Sequence, residues 1–351
     1  MSFFSSPSSN VNAPQGSEVY SGGDHPTVAK QSQSPLNKRR RFRWLVRVVV
    51  FVVGLILAGT IYESVAETSD IRAYPPLGQM IDVGGYRLHI NCTGTGSPTV
   101  IIEAGLGDWS LPWNAVQEEV AKTTRVCTYD RAGMGYSESS PLPRTAEQFA
   151  FELHTLLERA NVEGPYVLVG HSLGGLTVRI FVRDYPTEVA GVVLIDSMSP
   201  RQRAQPEMEI APQTSYRPSA FSLPYFLGRI GLVRLLAEPL GLIQHLPAQT
   251  QPAYAAFAVT PQTAQTFVDE FFSVQESLAQ ANAVKSFGDL PLIVLTGVID
   301  EQDGWQTWQT ELLELSSNSQ QIILENSGHN IHLDQPDAAV AAIVTMVSQL
   351  R

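Results

Sequence analysis

Residues 166–175 read Tyr-Val-Leu-Val-Gly-His-Ser-Leu-Gly-Gly. A β-branched run enters Gly170-His171-Ser172-Leu173-Gly174, and a stretch with helical spacing follows to Tyr185, where Pro186 stops it. A strand that reverses into a helix within one residue leaves no room for side chains beside the bend, which accounts for the glycines around Ser172. The bend pushes the Ser172 hydroxyl out of the fold. It also brings the Leu173 N–H to a helix N-terminus, where it can meet a developing oxyanion. Without flanking strand and helix, Gly-x-Ser-x-Gly is only a surface turn; here both flanks are present.

Outward from this bend, strands alternate with helices. Residues 80–83 and 86–91 read as a hairpin around Gly84-Gly85, and 99–103, 125–129, 190–195, 291–296 and 321–324 as further strands. Residues 145–160 have helical spacing, with Phe149, Leu153, Leu156 and Leu157 on one face. Apolar strands separated by helices predict an α/β fold whose mostly parallel central sheet is covered by helices on both faces. The interval 200–287 breaks the rhythm and is too long for a plain connection. It reads as an inserted helical cap between core segments 72–199 and 288–351, with helix candidates at 227–237 and 264–279. Helical spacing places Phe226, Ile230 and Val233 on one apolar face, which is expected to line the entrance above Ser172.

At 351 residues the chain can hold one large domain or two small ones. Its net charge of −11 is unevenly spread. Through Arg47, seven Lys and Arg residues stand against Glu18 and Asp24, so the strongly acidic remainder argues against nucleic acid as a partner. Residues 1–43 read as a disordered tail ending in the cluster Lys38-Arg39-Arg40-Arg41-Phe42-Arg43. Residues 44–65 read as one transmembrane anchor, with Arg47 snorkelling to the headgroups. The basic cluster precedes the span, so the tail should stay cytoplasmic and the body should be extracytoplasmic. Ser64-Val65-Ala66 keeps open the alternative of a cleaved signal peptide. Cys92 and Cys127 are the only cysteines, too few for a zinc site.

A serine hydroxyl is a poor nucleophile until a base takes its proton, and a third group must orient that base. The base candidate is His329, in Asn326-Ser327-Gly328-His329 after the last strand. His332 is a rival and completes a His-x-x-His, but no third ligand follows at suitable spacing, so neither metal nor cofactor is expected. Three carboxylates could orient the base from the carboxyl edge of a parallel sheet: Asp300, the first choice, Asp196, the alternative, and Asp303. Ala104-Gly105-Leu106-Gly107 follows an early strand and offers the Leu106 N–H as the second oxyanion donor, beside Leu173.

From about Tyr74 to its end the chain resembles the α/β-hydrolase superfamily. The order Ser172, acid, His329 is that family's order. The segment from Asp130 to Ser137 resembles its Asp-x-x-Gly-x-Gly-x-Ser, and Ser327-Gly328-His329 with Pro336 resembles its terminal histidine segment. Ala104-Gly105 stands where the family often has His-Gly, a change that a backbone donor tolerates. Serine at 172, where epoxide hydrolases and haloalkane dehalogenases of this family carry aspartate, argues against those activities. The resemblance implies an α/β-hydrolase fold, here preceded by one membrane helix. It implies an acyl-transferring serine hydrolase without cofactor; the family does not choose a substrate, and the reading adopted is a carboxylic ester, small and apolar as the apolar cap face suggests. Hydrolysis of a thioester, amide or carbon–carbon bond, or a catalytically silent binding protein, are the alternatives. It also brings the strands of Cys92 and Cys127 close together, so that the pair could bond in an oxidising compartment.

Overall fold

The computed structural model describes residues 35–202, 222–241, 243, 246–299 and 304–351. Two compact units divide the chain, Met1–Val52 and Val53–Arg351. Helix α1, Pro35–Ala73, begins with proline, whose missing N–H costs nothing in a first turn. The basic cluster expected in an irregular tail is therefore helical from Pro35 on, as good helix formers such as Leu, Lys and Arg permit. The part of this helix from Lys38 to Ala73 is long and apolar enough to cross a membrane.

Eight strands form one sheet: β1 Gln79–Asp82, β2 Arg87–Thr93, β3 Thr99–Glu103, β4 Val126–Tyr129, β5 Tyr166–His171, β6 Val189–Ile195, β7 Leu292–Gly297 and β8 Ser319–Leu324. Their order is β1-β2-β4-β3-β5-β6-β7-β8. Only the β1–β2 and β2–β4 pairs are antiparallel. The others are parallel, from β4–β3 through to β7–β8.

Side chains alternate along each strand, so one apolar run feeds two cores. Leu168 of β5 joins Phe149, Leu153 and Phe181, from helices α3 (Ala146–Arg159) and α4 (Gly174–Asp184). Its neighbours Val167 and Val169 point the other way. They join Val116 of α2 (Asn114–Val120) and Ile343 of the C-terminal helix (Pro336–Gln349). Thr145 caps α3 by accepting from Gln148 N–H, which fixes where that helix starts.

Cys92 and Cys127 are register partners across β2 and β4 and form a disulfide, with Cα atoms 4.0 Å apart. The bridge closes a separation of 35 residues. Loop-closure entropy then predicts that replacing both cysteines by alanine costs about 4 kcal/mol of unfolding free energy. Urea unfolding of wild type and double variant, each under oxidising conditions, measures this; equal midpoints would refute it.

Between β6 and β7 lie helices α5 Leu223–Arg229, α6 Leu232–Ala237, α7 Gln251–Ala258 and α8 Pro261–Asn282. The single helix expected over 227–237 is thus two. Gly231 takes a left-handed φ of 72°, which ends one helix and starts the next. The apolar spacing runs through that break, and spacing alone does not reveal it. The second candidate is extended at both ends, with Thr260 as cap and Pro261 in the first turn. After β7 comes α9, Trp305–Glu311, and a single helical turn α10, Ile331–Asp334, precedes α11, the C-terminal helix named above.

Candidate active site

Ser172 sits between β5 and α4 at φ 50°, a left-handed value that a non-glycine residue adopts only where the surroundings enforce it. The flanking glycines show the enforcement. A Cβ on Gly170 would stand 2.9 Å from Gly175 Cα, and one on Gly174 would stand 2.4 Å from the Glu103 carbonyl oxygen. Ser172 Oγ lies 2.9 Å from His329 Nε2. His329 Nδ1 lies 2.6 Å from Asp196 Oδ2. An ionised carboxylate can only accept, so Nδ1 carries the ring proton and Nε2 is left free to accept from the serine hydroxyl.

The carboxylate beside the base is therefore Asp196, the alternative of the sequence reading, at the end of β6. Asp300, preferred there, and Asp303 lie outside the described residues. Asp196 is buried and has φ 43°. Its other oxygen accepts from Trp305 Nε1 at 2.9 Å and from Gly297 N–H at 3.1 Å. The Trp305 ring also stands edge-on to the His329 ring, centroids 5.4 Å apart. Trp305 was not visible as a site residue in the sequence, because nothing local marks it; only the fold brings the start of α9 to the end of β6.

The loop Ala104-Gly105-Leu106-Gly107 lies against Ser172: a Cβ on Gly105 would be 3.2 Å from Ser172 Cβ. Buried Arg131 and Glu270 fix this loop, with buried Glu103 beside them. Arg131 Nη1 donates to Ala104 O at 2.7 Å and Nη2 to Gly105 O at 2.5 Å. Glu270, on α8, accepts from Gly107 N–H at 2.9 Å and from Arg131 Nε at 2.7 Å. Glu103 accepts from Arg131 Nη1 at 3.0 Å. Burial works against the Arg131 charge, but Glu270 and Glu103 beside it raise its pKa overall. Burial pushes the Glu103 carboxyl up to about 7 despite Arg131. Among the described residues no protein group takes the Leu106 N–H, and Leu173 N–H stands at the first turn of α4, where helical donors have no partner within the helix.

Glu270→Gln keeps the shape and removes one charge from this group. Breaking a buried pair should lower the unfolding free energy by about 3 kcal/mol. Because Gly107 and Arg131 hold the loop, kcat should fall by up to about 10²-fold with KM little changed, an indirect version of losing an oxyanion donor. Denaturant unfolding with steady-state ester kinetics measures both; wild-type values of each would remove this role.

His332, the rival base, is elsewhere. It stacks on Trp113 with ring centroids 4.2 Å apart and lies 3.6 Å from Asp108 Oδ2. Asp108, His171 and His332 form a buried group whose donor atoms all lie within 4.8 Å of one another. Burial pulls His332 down to about 3 and His171 well below its ordinary value, while it pushes Asp108 up to about 7. Burial thus favours the neutral form of both rings. The sequence reading foresaw no third donor, because Asp108 and His171 are far from His332 in the chain.

Of the cap helices, α8 reaches the loop beside Ser172: a Cβ on Gly107 would stand 2.4 Å from Phe267 Cδ2, and Glu270 bonds the loop. The face of Phe226, Ile230 and Val233 is divided by the Gly231 break, and the Ile230 carbonyl lies against Gly59 of α1.

The chain belongs to the alpha/beta hydrolase family, whose model matches residues 100–343. The uncharacterized protein YqjL of Bacillus subtilis is 27% identical over 255 residues, 71% of this chain and 83% of that protein. "Probable transporter efuK" of Hormonema carpetanum is 36% identical over 126 residues; the match is 34% of this chain and only 18% of that protein. Among solved structures, the epoxide hydrolase CorEH superposes with a TM-score of 0.60 at 19% identity, covering 78% of this chain and 99% of that one. An esterase from Thermogutta terrifontis superposes with a TM-score of 0.56 at 21% identity, covering 78% and 98%. These likenesses are at the level of the fold.

Proposed function

We propose that this hydrolase-family protein is a serine hydrolase that cleaves a carboxylic ester, with Ser172 as nucleophile, His329 as base and Asp196 as the orienting acid. The observation that carries the reading is the unbroken line from Ser172 Oγ through His329 to Asp196, at 2.9 and 2.6 Å. Ser172 Oγ attacks the ester carbonyl carbon while its proton passes to His329 Nε2. The carbonyl oxygen becomes an oxyanion held by the Leu106 and Leu173 N–H groups. The C–O bond to the alcohol breaks, the alcohol takes the proton from His329, and an acyl-Ser172 ester remains. Water, losing its proton to His329, attacks that ester; the bond from the acyl carbon to Ser172 Oγ breaks, Oγ takes the proton back from His329, and the acid is released. Serine rather than aspartate at 172 favours this acyl chemistry over that named for CorEH. The esterase among the structural neighbours supports an ester as substrate only as an analogy of fold.

The same reading includes an anchor formed by residues 44–65 and a body on the extracytoplasmic side. The basic cluster before the span supports that orientation, and the disulfide supports an oxidising compartment. Treatment of the full chain with a fluorophosphonate probe, followed by peptide mapping and an ester substrate panel, tests the chemistry. Labelling at Ser172 with turnover of esters is the expected result. Absence of labelling would favour a silent binding protein, and turnover of amides or thioesters alone would shift the substrate class.

Phe267, on α8 beside the oxyanion loop, is half-exposed and offers an apolar contact for the substrate's acyl group. Phe267→Ala should flatten the rise of kcat/KM with acyl length, which otherwise can reach about 0.8 kcal/mol per buried methylene. A profile unchanged by the substitution would take Phe267 out of the acyl site.

A further inference from the structure

Helix α1 does not leave its apolar run into a free tether. Beyond Tyr62 it carries Glu63, Glu67 and Asp70, and each meets a cap arginine. Arg234 of α6 donates to both Glu63 oxygens at 2.9 Å and to Asp70 at 2.8 Å. Arg229 of α5 donates to Glu67 at 2.8 Å and to the Ser64 hydroxyl at 2.9 Å. Glu63 is fully buried in this arrangement. About one helical turn back into the apolar run, roughly 6 Å along the axis, Gly59 leaves bare backbone. A Cβ there would stand 2.3 Å from the Ile230 carbonyl oxygen. A Cβ on Gly231 would stand 3.1 Å from Tyr62 Cδ1. The α5–α6 turn is thus fixed alongside the apolar run, at a level the run itself occupies.

Around that turn large apolar side chains face outward: Leu223 is 66% exposed, Phe226 43%, Leu235 69% and Leu240 63%. Water is a poor environment for such a concentration. The cations of α5 and α6, Arg229 and Arg234, are already neutralised by the acids of α1. Glu238, exposed between Leu235 and Leu240, is the acid beside this face, so the face can enter a membrane interface at headgroup depth, where that carboxylate stays in water.

We infer that the α5–α6 face is a membrane-contacting surface, its exposed leucines and Phe226 seated among the headgroups and upper acyl chains of a phospholipid bilayer. This rests on the anchor reading above and deepens it: the end of the apolar run, at Gly59 and Tyr62, is joined to the cap, and together they hold the catalytic body against the lipid. The contact is linked to the site, because α5 abuts the start of α8, where a Cβ on Gly228 would be 2.5 Å from Pro261 Cα, and α8 carries Glu270 and Phe267 to the oxyanion loop. Esters drawn from a lipid phase are the substrates such a surface would favour.

The test uses the full chain in phosphatidylcholine vesicles without spin label, with lipid spin-labelled near the top of the acyl chain, and with lipid spin-labelled near its end, so that shallow and midplane positions are both within reach. The two native cysteines are bonded to each other, so Leu235→Cys and Leu240→Cys each introduce one free thiol for an environment-sensitive fluorophore. Val53→Cys reports on the apolar run of α1, and Ile323→Cys, on β8, serves as the control. The labels at 235 and 240 are expected to emit further to the blue and to be quenched by spin-labelled lipid, as at 53, while the label at 323 is not. If 235 and 240 behave like 323 while 53 is quenched, the membrane-contacting face is overturned and the anchor stands. If 53 is not quenched either, the anchor reading fails and this surface fails with it.

Discussion

Ser172→Ala is expected to lower kcat toward a short-chain aryl ester by a factor of about 10⁴ or more. The reason is geometric. Ser172 is held at φ 50° in a bend whose glycines 170 and 174 admit no side chain, and its Oγ lies 2.9 Å from His329 Nε2. Alanine fills the same backbone position without strain beyond that already present and removes only the oxygen. Residual hydrolysis should reflect the oxyanion donors and binding alone. Pre-steady-state kinetics should show an acylation burst in wild type and none in the variant. Activity near wild type in Ser172→Ala would remove the nucleophile assignment altogether.

Asp196→Asn should cost about 10³- to 10⁴-fold in kcat with the fold intact. The carboxylate accepts from His329 Nδ1, which leaves Nε2 as the proton acceptor facing Ser172. Trp305 Nε1 and Gly297 N–H both donate to Asp196 Oδ1, so an asparagine there must keep its oxygen toward these donors. Its amide then points two hydrogens at His329 and forces the proton onto Nε2, the wrong nitrogen for a base. Asp300→Asn should leave kcat within a few fold of wild type. The pair of variants, compared at saturating ester, decides the matter: a large loss at Asp300 with Asp196→Asn near wild type would move the acid to the loop after β7.

Much of this was legible in order along the chain. The strands at 99–103 and 166–171 and the helix over 145–160 follow from apolar runs and periodicity, which are local properties. Ser172 and His329 were legible because each lies in a short segment whose neighbours are constrained by the same bend or loop. The acid was not, since Asp196 and Asp300 both follow strands of a parallel sheet and either edge position can face the base. The break at Gly231 was hidden because apolar spacing continues through it.

The sequence by itself determined the elbow, the family pattern and the apolar α1 run, because glycine spacing, strand–turn–helix order and segment length are written in neighbouring residues. Tertiary structure alone decided that Asp196 meets His329, that Trp305 braces Asp196, and that Arg131 and Glu270 hold the loop 104–107. It also decided that α8 rather than α5 meets that loop, and that α5 and α6 dock on α1. These contacts join residues up to 171 positions apart, as between Glu63 and Arg234. Pairings at such separations depend on how the chain closes in space, and a pattern read along it carries no measure of that closure.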